Sequence, residues 1–341
     1  MVKLAVVVLN WNGIKFLKQY MPSIVEYTSK NTKIYVIDNA SIDDSVSFLK
    51  ENFPSVHIVL NADNYGFAKG YNEGLKHIQA EYYCLLNSDI EVTPNWDEGV
   101  IEFMDKHKDV AVCQPKLLAL LQKDEFEYAG AAGGFIDKNG YPFCQGRLFS
   151  TMEKDTGQYN DNREIFWATG ACMFVRSHIY HSLGGLDDDF FTHMEEIDFC
   201  WRVKNQGHKV MYYADSVVYH YGGGTLATGS PKKTYYNFRN NLVMLYKNLP
   251  SNRLFSVFCF RFIFDIIAGA RFLIDSGIND TLAVIKAYGS FWANYSHNRR
   301  KRKQTVQQKH TTMMYKKNIV FQYFILKKTK FTDLNQQDFT N

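Results

Sequence analysis

Over the first 116 residues, short apolar runs alternate with stretches whose apolar positions recur every three or four residues. Runs of the first kind predict strands at Lys3–Leu9, Lys33–Asp38, Val56–Asn61, Tyr82–Asn87 and Val110–Lys116. The second kind predicts helices near Ile14–Thr28, Asp43–Asn52, Gly66–Gln79 and Asn95–His107. Strands separated by helices of this length form parallel βαβ units. Ligands of such sheets gather at the carboxyl ends of the strands. Asn10, Asp38, Asn64 and Asn87-Ser88-Asp89 all fall there.

The pattern changes after Lys116. Asn139-Gly140, between Phe135-Ile136 and Tyr141, predicts a hairpin turn. Trp167–Arg176 is a further apolar run, Glu195–Asn205 a helix stopped by Gly207, and Met211–Tyr221 one or two strands ahead of Gly222-Gly223-Gly224. No internal repeat is visible. The composition, 46% hydrophobic and 22% charged with 7 Pro, is that of a folded chain and excludes global disorder and collagen-like repeats. Six cysteines form no C-x-x-C pair, which argues against zinc and a disulfide framework and for a reducing compartment. Leu4–Leu9 is too short for a signal-peptide core, so a cytoplasmic location is expected.

Charge divides the chain. Residues 251–341 hold 15 Lys+Arg against 5 Asp+Glu, a net of +10. That leaves 24 basic and 30 acidic side chains in residues 1–250, a net of −6. An acidic body with a basic end suggests that the end meets something anionic.

Several polar clusters can carry chemistry. Asn87-Ser88-Asp89 ends a buried strand, where a carboxylate can hold Mg²⁺ or Mn²⁺ beside a diphosphate; the alternative is an ordinary turn. In Glu195-Glu196-Ile197-Asp198, neighbouring carboxylates raise one another's pKa, as a general base requires. The other reading is a solvated helix start, with Asp198 and Arg202 as an i,i+4 pair. Asp38 can accept a hydrogen bond from a pyrimidine base, with Ser41 and Asp43 capping the next helix. The glycines between Asn64 and Gly74 allow a ligand or a strand to approach closely.

Taken in order, Asn10-Trp11-Asn12-Gly13, Asp38-Asn39-Ala40-Ser41, the run Asn64–Gly74, Leu85–Asp89, Gly184-Gly185-Leu186-Asp187 and Glu195–Arg202 resemble the family 2 glycosyltransferases. The resemblance spans residues 3–245 and leans towards the rhamnosyltransferase-type members of bacterial surface-polysaccharide synthesis. It implies a GT-A fold, an α/β architecture with a Rossmann-like, mostly parallel sheet flanked by helices. It further implies a nucleotide-sugar donor, a divalent cation and inversion at the anomeric carbon. Residues 1–116 would then be the nucleotide-binding half and 117–250 the acceptor and catalytic half. By position, Asn10 and Trp11 line the nucleotide pocket, Asp38 holds the base, and Asp89 ligates metal within Asn87-Ser88-Asp89, which stands at the family's D-x-D. Glu196 is the catalytic base, and His220 a second metal or phosphate contact. Asn64, Gly66, Lys69, Glu195, Arg202 and Arg239 complete the implied substrate-binding set. Two positions depart from the family pattern: Asn87 replaces the first Asp of D-x-D, and Tyr71 stands where many members have Arg. Lys69, Lys232 or Arg239 would then meet the phosphate. The donor reads as deoxythymidine-diphosphate rhamnose, with a uridine-diphosphate sugar as the alternative, and the acceptor as a lipid-linked saccharide.

Residues 251–303 predict an amphipathic helical segment, with 304–341 as a basic polar tail. Within Leu254–Ile274, Arg261, Asp265, Arg271 and Asp275 share one arc and phenylalanines and isoleucines occupy the rest. Each charge at a bilayer centre costs about 2.5–3.5 kcal/mol, which disfavours a simple span. The helix either closes the core or lies in a membrane interface. Arg299-Arg300-Lys301-Arg302-Lys303 suits anionic headgroups. Nucleic acid is discounted as a partner, because the body is acidic and carries no nucleic-acid module. The expected placement is the inner face of the plasma membrane. Two rivals remain: a nicotinamide-dependent oxidoreductase, whose G-x-G-x-x-G the first strand end lacks, and a non-catalytic carbohydrate- or membrane-binding relative.

Overall fold

A computed structural model describes residues 2–222, 230–308 and 311–341. Strand β1 (Val2–Asn10), helix α1 (Ile14–Tyr27), β2 (Thr32–Asp38), α2 (Ser45–Asn52), β3 (His57–Leu60), α3 (Gly66–Leu75) and β4 (Ala80–Asn87) follow one another as the periodicity predicts. They are succeeded by β5 (Ile90–Val92), α4 (Glu98–Lys106) and β6 (Val110–Ala119). Strands β1 to β4 pair in parallel through β1 and β2. Leu4, Val6 and Val8 enter one core and Ala5 and Val7 the other, so β1 is buried on both faces.

The central sheet has nine strands, in the order β11 (Arg163–Ile165), β13 (Lys209–His220), β6, β12 (Cys172–Arg176), β4, β1, β2, β3, with β5 on β13. Strand β12 runs antiparallel between β4 and β6, and β13 runs parallel to β6. Between β12 and β13 lie α5 (Ser177–Ser182) and α6 (Glu195–Asn205), the latter with the predicted bounds. Helix α7 (Pro231–Asn248) is capped by Ser230, whose Oγ accepts from the Lys233 amide. Of the glycine run expected at 222–224, Gly223 and Gly224 lie outside the described residues.

A second, five-stranded sheet packs beside the first: β7 (Gly134–Asp137), β8 (Pro142–Cys144), β9 (Arg147–Leu148), β10 (Thr151–Met152) and β14 (Met314–Tyr315). The predicted turn joins β7 to β8. There the buried Asp137 accepts from the Asn139 and Tyr141 amides, and Gly140 takes a positive φ of 83°.

The C-terminal stretch departs from expectation. Residues 311–341 are not a polar tail but part of the fold. Strand β14 pairs with β7, and the rings of Phe331 and Phe339 lie 4.9 and 5.2 Å from that of Phe135. Helix α11 (Ile319–Phe324) is tied to Asp137 through the Ile319 amide. The aromatic anchors Tyr315, Phe331 and Phe339 are scattered singly among polar residues, so no periodicity announces them.

Helices α8 (Ser251–Asp275), α9 (Ile278–Ala293) and α10 (Tyr295–Gln304) also differ from the simplest expectation. The charged arc of α8 faces inward at its centre. Arg261 and Asp265, 4% and 2% exposed, form a 3.1 Å ion pair, the guanidinium lies 4.0 Å from the Tyr141 ring centre, and Tyr288 donates to Asp265. Nor do all five consecutive cations of α10 face solvent. Lys301 pairs with Asp187 and Asp189, and Arg302 donates to the carbonyls of Tyr246 and Leu249 at the end of α7. Arg299, Arg300 and Lys303 are the exposed three. Among the described residues, no helix is long and apolar enough to cross a membrane.

Candidate functional site

The carboxyl ends of β1, β2 and β4 meet, as parallel topology requires. The buried Asn10 donates to Asp38 (2.9 Å) and to Ser41 Oγ (3.1 Å), while Asp38 also accepts from the Ser41 amide. Ser41 is therefore committed to this network and does not cap α2. Asp43 does reach the first turn of α2, accepting from the Ser45 amide, and also accepts from Ile14. Trp11 stands half-exposed at the rim. A methyl on Gly13 would collide with Asn10 and sit 3.9 Å from Ser88 Oγ, so the β1 and β4 ends are in close approach.

Asn87-Ser88-Asp89 joins β4 to β5. Asp89 Oδ1 is 3.2 Å from His220 Nε2 at the end of β13, and Glu127 Oε1 is 3.2 Å from the ring's other nitrogen. Asn87 Nδ2 lies 3.5 Å from the same Nε2. Burial works against charge on His220, but Glu127 and Asp89 outweigh it and push its pKa up to about 10. Among the described residues, no group of three His, Cys, Asp or Glu side chains has metal-holding geometry. The donor types nevertheless fit a cation completed by ligand oxygens. Asp89 and His220 Nε2 share one locus, and a carboxylate behind the far ring nitrogen is the usual backing of a ligating histidine. Loading such a cation requires His220 to release its proton.

The acid pair Glu195-Glu196 opens α6. Glu196 lies against Gly170, where an added Cβ would be 3.8 Å from that of Glu196. The next residue, Ala171, accepts the Asn87 amide, so this turn links the two acidic loops. Glu195 Oε2 and Glu196 Oε2 have no hydrogen-bond partner among the described residues. Burial pushes the Glu196 carboxyl up to about 7, against the pull of the α6 amides. Glu195 is raised too, by burial and by Glu196. Helix-terminal stabilisation of an acid is worth about 0.3–1 kcal/mol, too little to offset burial here.

The loop before α6 is strained and heavily braced. Phe191, His193 and Met194 have φ of 61°, 69° and 74°. Asn240 Nδ2 donates to the carbonyls of Phe190, Thr192 and His193 at 2.7–3.0 Å, and Arg239 to that of Asp189. From α3, the Phe67 amide donates to the Phe191 carbonyl. Asn64 accepts from Gly66, whose φ of 74° and contact with the Phe191 ring leave no space for a Cβ. Lys69 lies over the Tyr65 ring, and Lys232 is exposed near Phe191.

Some expected residues are elsewhere. Arg202 bonds Asp198 and the carbonyls of Leu183 and Gly185, which makes it a brace of the 183–187 turn. Tyr71 is wholly buried, donating to the carbonyls of Val7 and Leu86. Glu127 sits in an irregular segment with no motif around it, and only the tertiary contact with His220 reveals it.

A nine-stranded sheet with acidic loops at the ends of β4 and at the start of α6 defines a class. Residues 5–184 match the family Glycosyl transferase family 2, more than half of the chain, and the chain belongs to that family. It is similar to the low-salt glycan biosynthesis hexosyltransferase Agl10 of Haloferax volcanii, 22% identical over 74% of this chain and 76% of that protein. It is similar also to the N-acetylglucosaminyl-diphospho-decaprenol L-rhamnosyltransferase of Mycobacterium tuberculosis (22%, covering 64% and 76%). The dTDP-rhamnosyl transferase RfbF of Shigella flexneri is 22% identical, with 68% and 77% covered. The GT-A fold is shared with solved structures at low identity. GalNAc-T7 with UDP, GalNAc and Mn²⁺ superposes with a TM-score of 0.58 at 15% identity, over 74% of this chain and about half (49%) of its own. The 1–349 segment of S. aureus TarS gives 0.55 at 15%, over 85% and 80%.

Proposed function

We propose that this glycosyltransferase moves a sugar, with inversion, from a nucleotide-diphosphate donor to a hydroxyl of a lipid-linked saccharide in cell-surface polysaccharide synthesis. The observation that carries the reading is Glu196: a mostly buried carboxylate with a pKa near 7, an unpartnered oxygen among the described residues, and a link through the Gly170-Ala171 turn to Asn87-Ser88-Asp89. A base tuned to the working pH is what removal of a proton from a hydroxyl requires. The acceptor oxygen attacks the anomeric carbon as its proton passes to Glu196 Oε2, and the nucleoside diphosphate leaves from the opposite face. One displacement inverts the centre.

Asp38 and Asn10 supply polar groups for the nucleoside, with Trp11 as a rim ring. Asp89 and His220 would hold Mg²⁺ or Mn²⁺, which when bound neutralises charge on the departing diphosphate. Glu127 fixes the His220 ring. The rhamnosyltransferases among the relatives favour dTDP-rhamnose as donor, and the decaprenol-linked name of one favours a polyprenyl-linked acceptor. The reaction then lies at the inner face of the plasma membrane, with the protein held there peripherally.

The test is a thermal-shift panel of nucleotide-sugars with Mn²⁺ or Mg²⁺, followed by product analysis with the stabilising donor. Stabilisation by dTDP-rhamnose and a metal-dependent, inverted product are expected. Stabilisation by UDP-sugars alone would redirect the donor assignment, and no stabilisation by any nucleotide-sugar would overturn the reading.

A further inference from the structure

Helix α8 is inside out at its centre compared with an ordinary surface helix. In α8, Val257, Arg261, Asp265 and Gly269, spaced four apart, point inward. Outward lie Phe255 (83% exposed), Phe262, Ile263, Ile266, Ile267 and Ile274 (85%). Ile278, Leu282, Ile285 and Trp292 extend the exposed apolar surface along α9. Exposed apolar area of this extent marks a contact site.

Charge identifies the occupant. Of the five acids beyond residue 250, Asp265 and Asp280 are buried, and Asp275 is paired with Arg271. At the opposite end of the hairpin, the Arg302 bond to Ser251 sets α10 beside the start of α8. There Arg299, Arg300 and Lys303 stand exposed on α10, which opens at the ring pair Trp292–Tyr295. Aromatic rings and exposed cations at the edge of an apolar face match the layering of a bilayer surface, with rings at headgroup level and cations among phosphates. The geometry points to the outer face of α8–α9 as a docking surface that lies in the interface of an anionic membrane. The hairpin lies flat rather than crossing, because the Arg261–Asp265 pair of α8 packs under the Tyr141 ring of the body and accepts a bond from Tyr288 of α9. This locates the membrane contact of the proposed function but does not depend on its sugar chemistry. Lys301 and His297, on the helix that follows the hairpin, reach Asp187 and Asp189 in the segment leading to the catalytic acids. Docking and the active site are thus tied through one short connection.

The test is co-sedimentation of the full chain with vesicles of phosphatidylcholine alone or with about a third phosphatidylglycerol, in low and high salt. Strong binding to the anionic vesicles is expected. Each exposed cation near such a surface is worth about fivefold, so Arg299→Gln/Arg300→Gln/Lys303→Gln should weaken binding by about a hundredfold. Ile263→Ser/Ile266→Ser/Ile267→Ser should weaken binding to both vesicle types. All six positions are exposed, so the melting temperature should stay within a few degrees of wild type, and donor-induced stabilisation should be retained. Unchanged vesicle binding in both variants would overturn the proposal. So would a concentration-dependent dimer in sedimentation velocity that the serine variant abolishes while vesicle binding is absent. Either result leaves the donor panel, and with it the sugar-transfer reading, untouched.

Discussion

Replacing Glu196 by Gln keeps the side chain's shape and removes its charge. In the folded chain the carboxyl is raised from 4.5 to about 7, so its ionisation there costs about 3 kcal/mol at 1.36 kcal/mol per pKa unit. Residual solvent contact lowers this to about 1–3 kcal/mol. The sign follows from linkage. A carboxyl raised on folding favours the native state while it is protonated. That contribution is full below the unfolded value near 4.5 and is lost as pH rises through about 7. Above pH 7 the Gln variant should therefore be more stable than wild type by about 1–3 kcal/mol, a rise of a few degrees in melting temperature. Its kcat/KM should fall by about 10²–10⁴, the usual share of a general base, with donor binding unchanged. Wild-type kcat/KM should climb tenfold per pH unit below about 7 and level off above it. Radiolabelled or coupled transfer assays from pH 5.5 to 8.5, beside thermal melts at pH 5 and 8, measure both sides. A variant with more than a tenth of wild-type kcat/KM, or one no more stable at pH 8, would refute the reasoning.

Other consequences follow from the packing. Asn240→Ala strips the donor from three loop carbonyls and should cost about 1–3 kcal/mol. It should depress kcat more than it raises donor KM, because the loop carries α6; equal loss in both would place Asn240 at the donor instead. Asp265→Ala leaves Arg261 buried without its partner and should cost about 3–5 kcal/mol, while Arg261→Met/Asp265→Leu should cost much less. Urea melts of the three proteins check the ordering. Phe339→Ala opens the aromatic cluster over Phe135 and should cost about 3–5 kcal/mol, whereas a dispensable tail would give no change in melting temperature.

Much of the first 116 residues was legible in the sequence, because its information is local. A strand buried on both faces must be a continuous apolar run, and β1, β2 and β4 are. A parallel strand must be followed by a crossover helix of sufficient length, and α1 to α4 are. The polar residues that end those strands then fall together by topology, so Asn10, Asp38 and Asn87-Ser88-Asp89 could be named before any coordinates. The bounds of α6, with Glu195-Glu196 at its start and Gly207 past its end, needed no tertiary information either.

Tertiary structure decided what depends on pairing across the chain. Glu127 backs His220 from 93 positions away in the sequence, and Asn240 holds the loop at 190–193 from 47 to 50 away. Arg202 looked available and proved to be consumed by carbonyls of the 183–185 turn. Residues 304–341 read as a tail, since three aromatic anchors among many polar neighbours carry no period. The arc of α8 was correctly drawn, but its facing was not readable. Periodicity tells which residues share a side of a helix. Only the contacts of Tyr141 and Tyr288 with Arg261 and Asp265 determine that the centre of the charged side turns inward, while Arg271 and Asp275 of the same arc stay exposed and phenylalanines and isoleucines turn out.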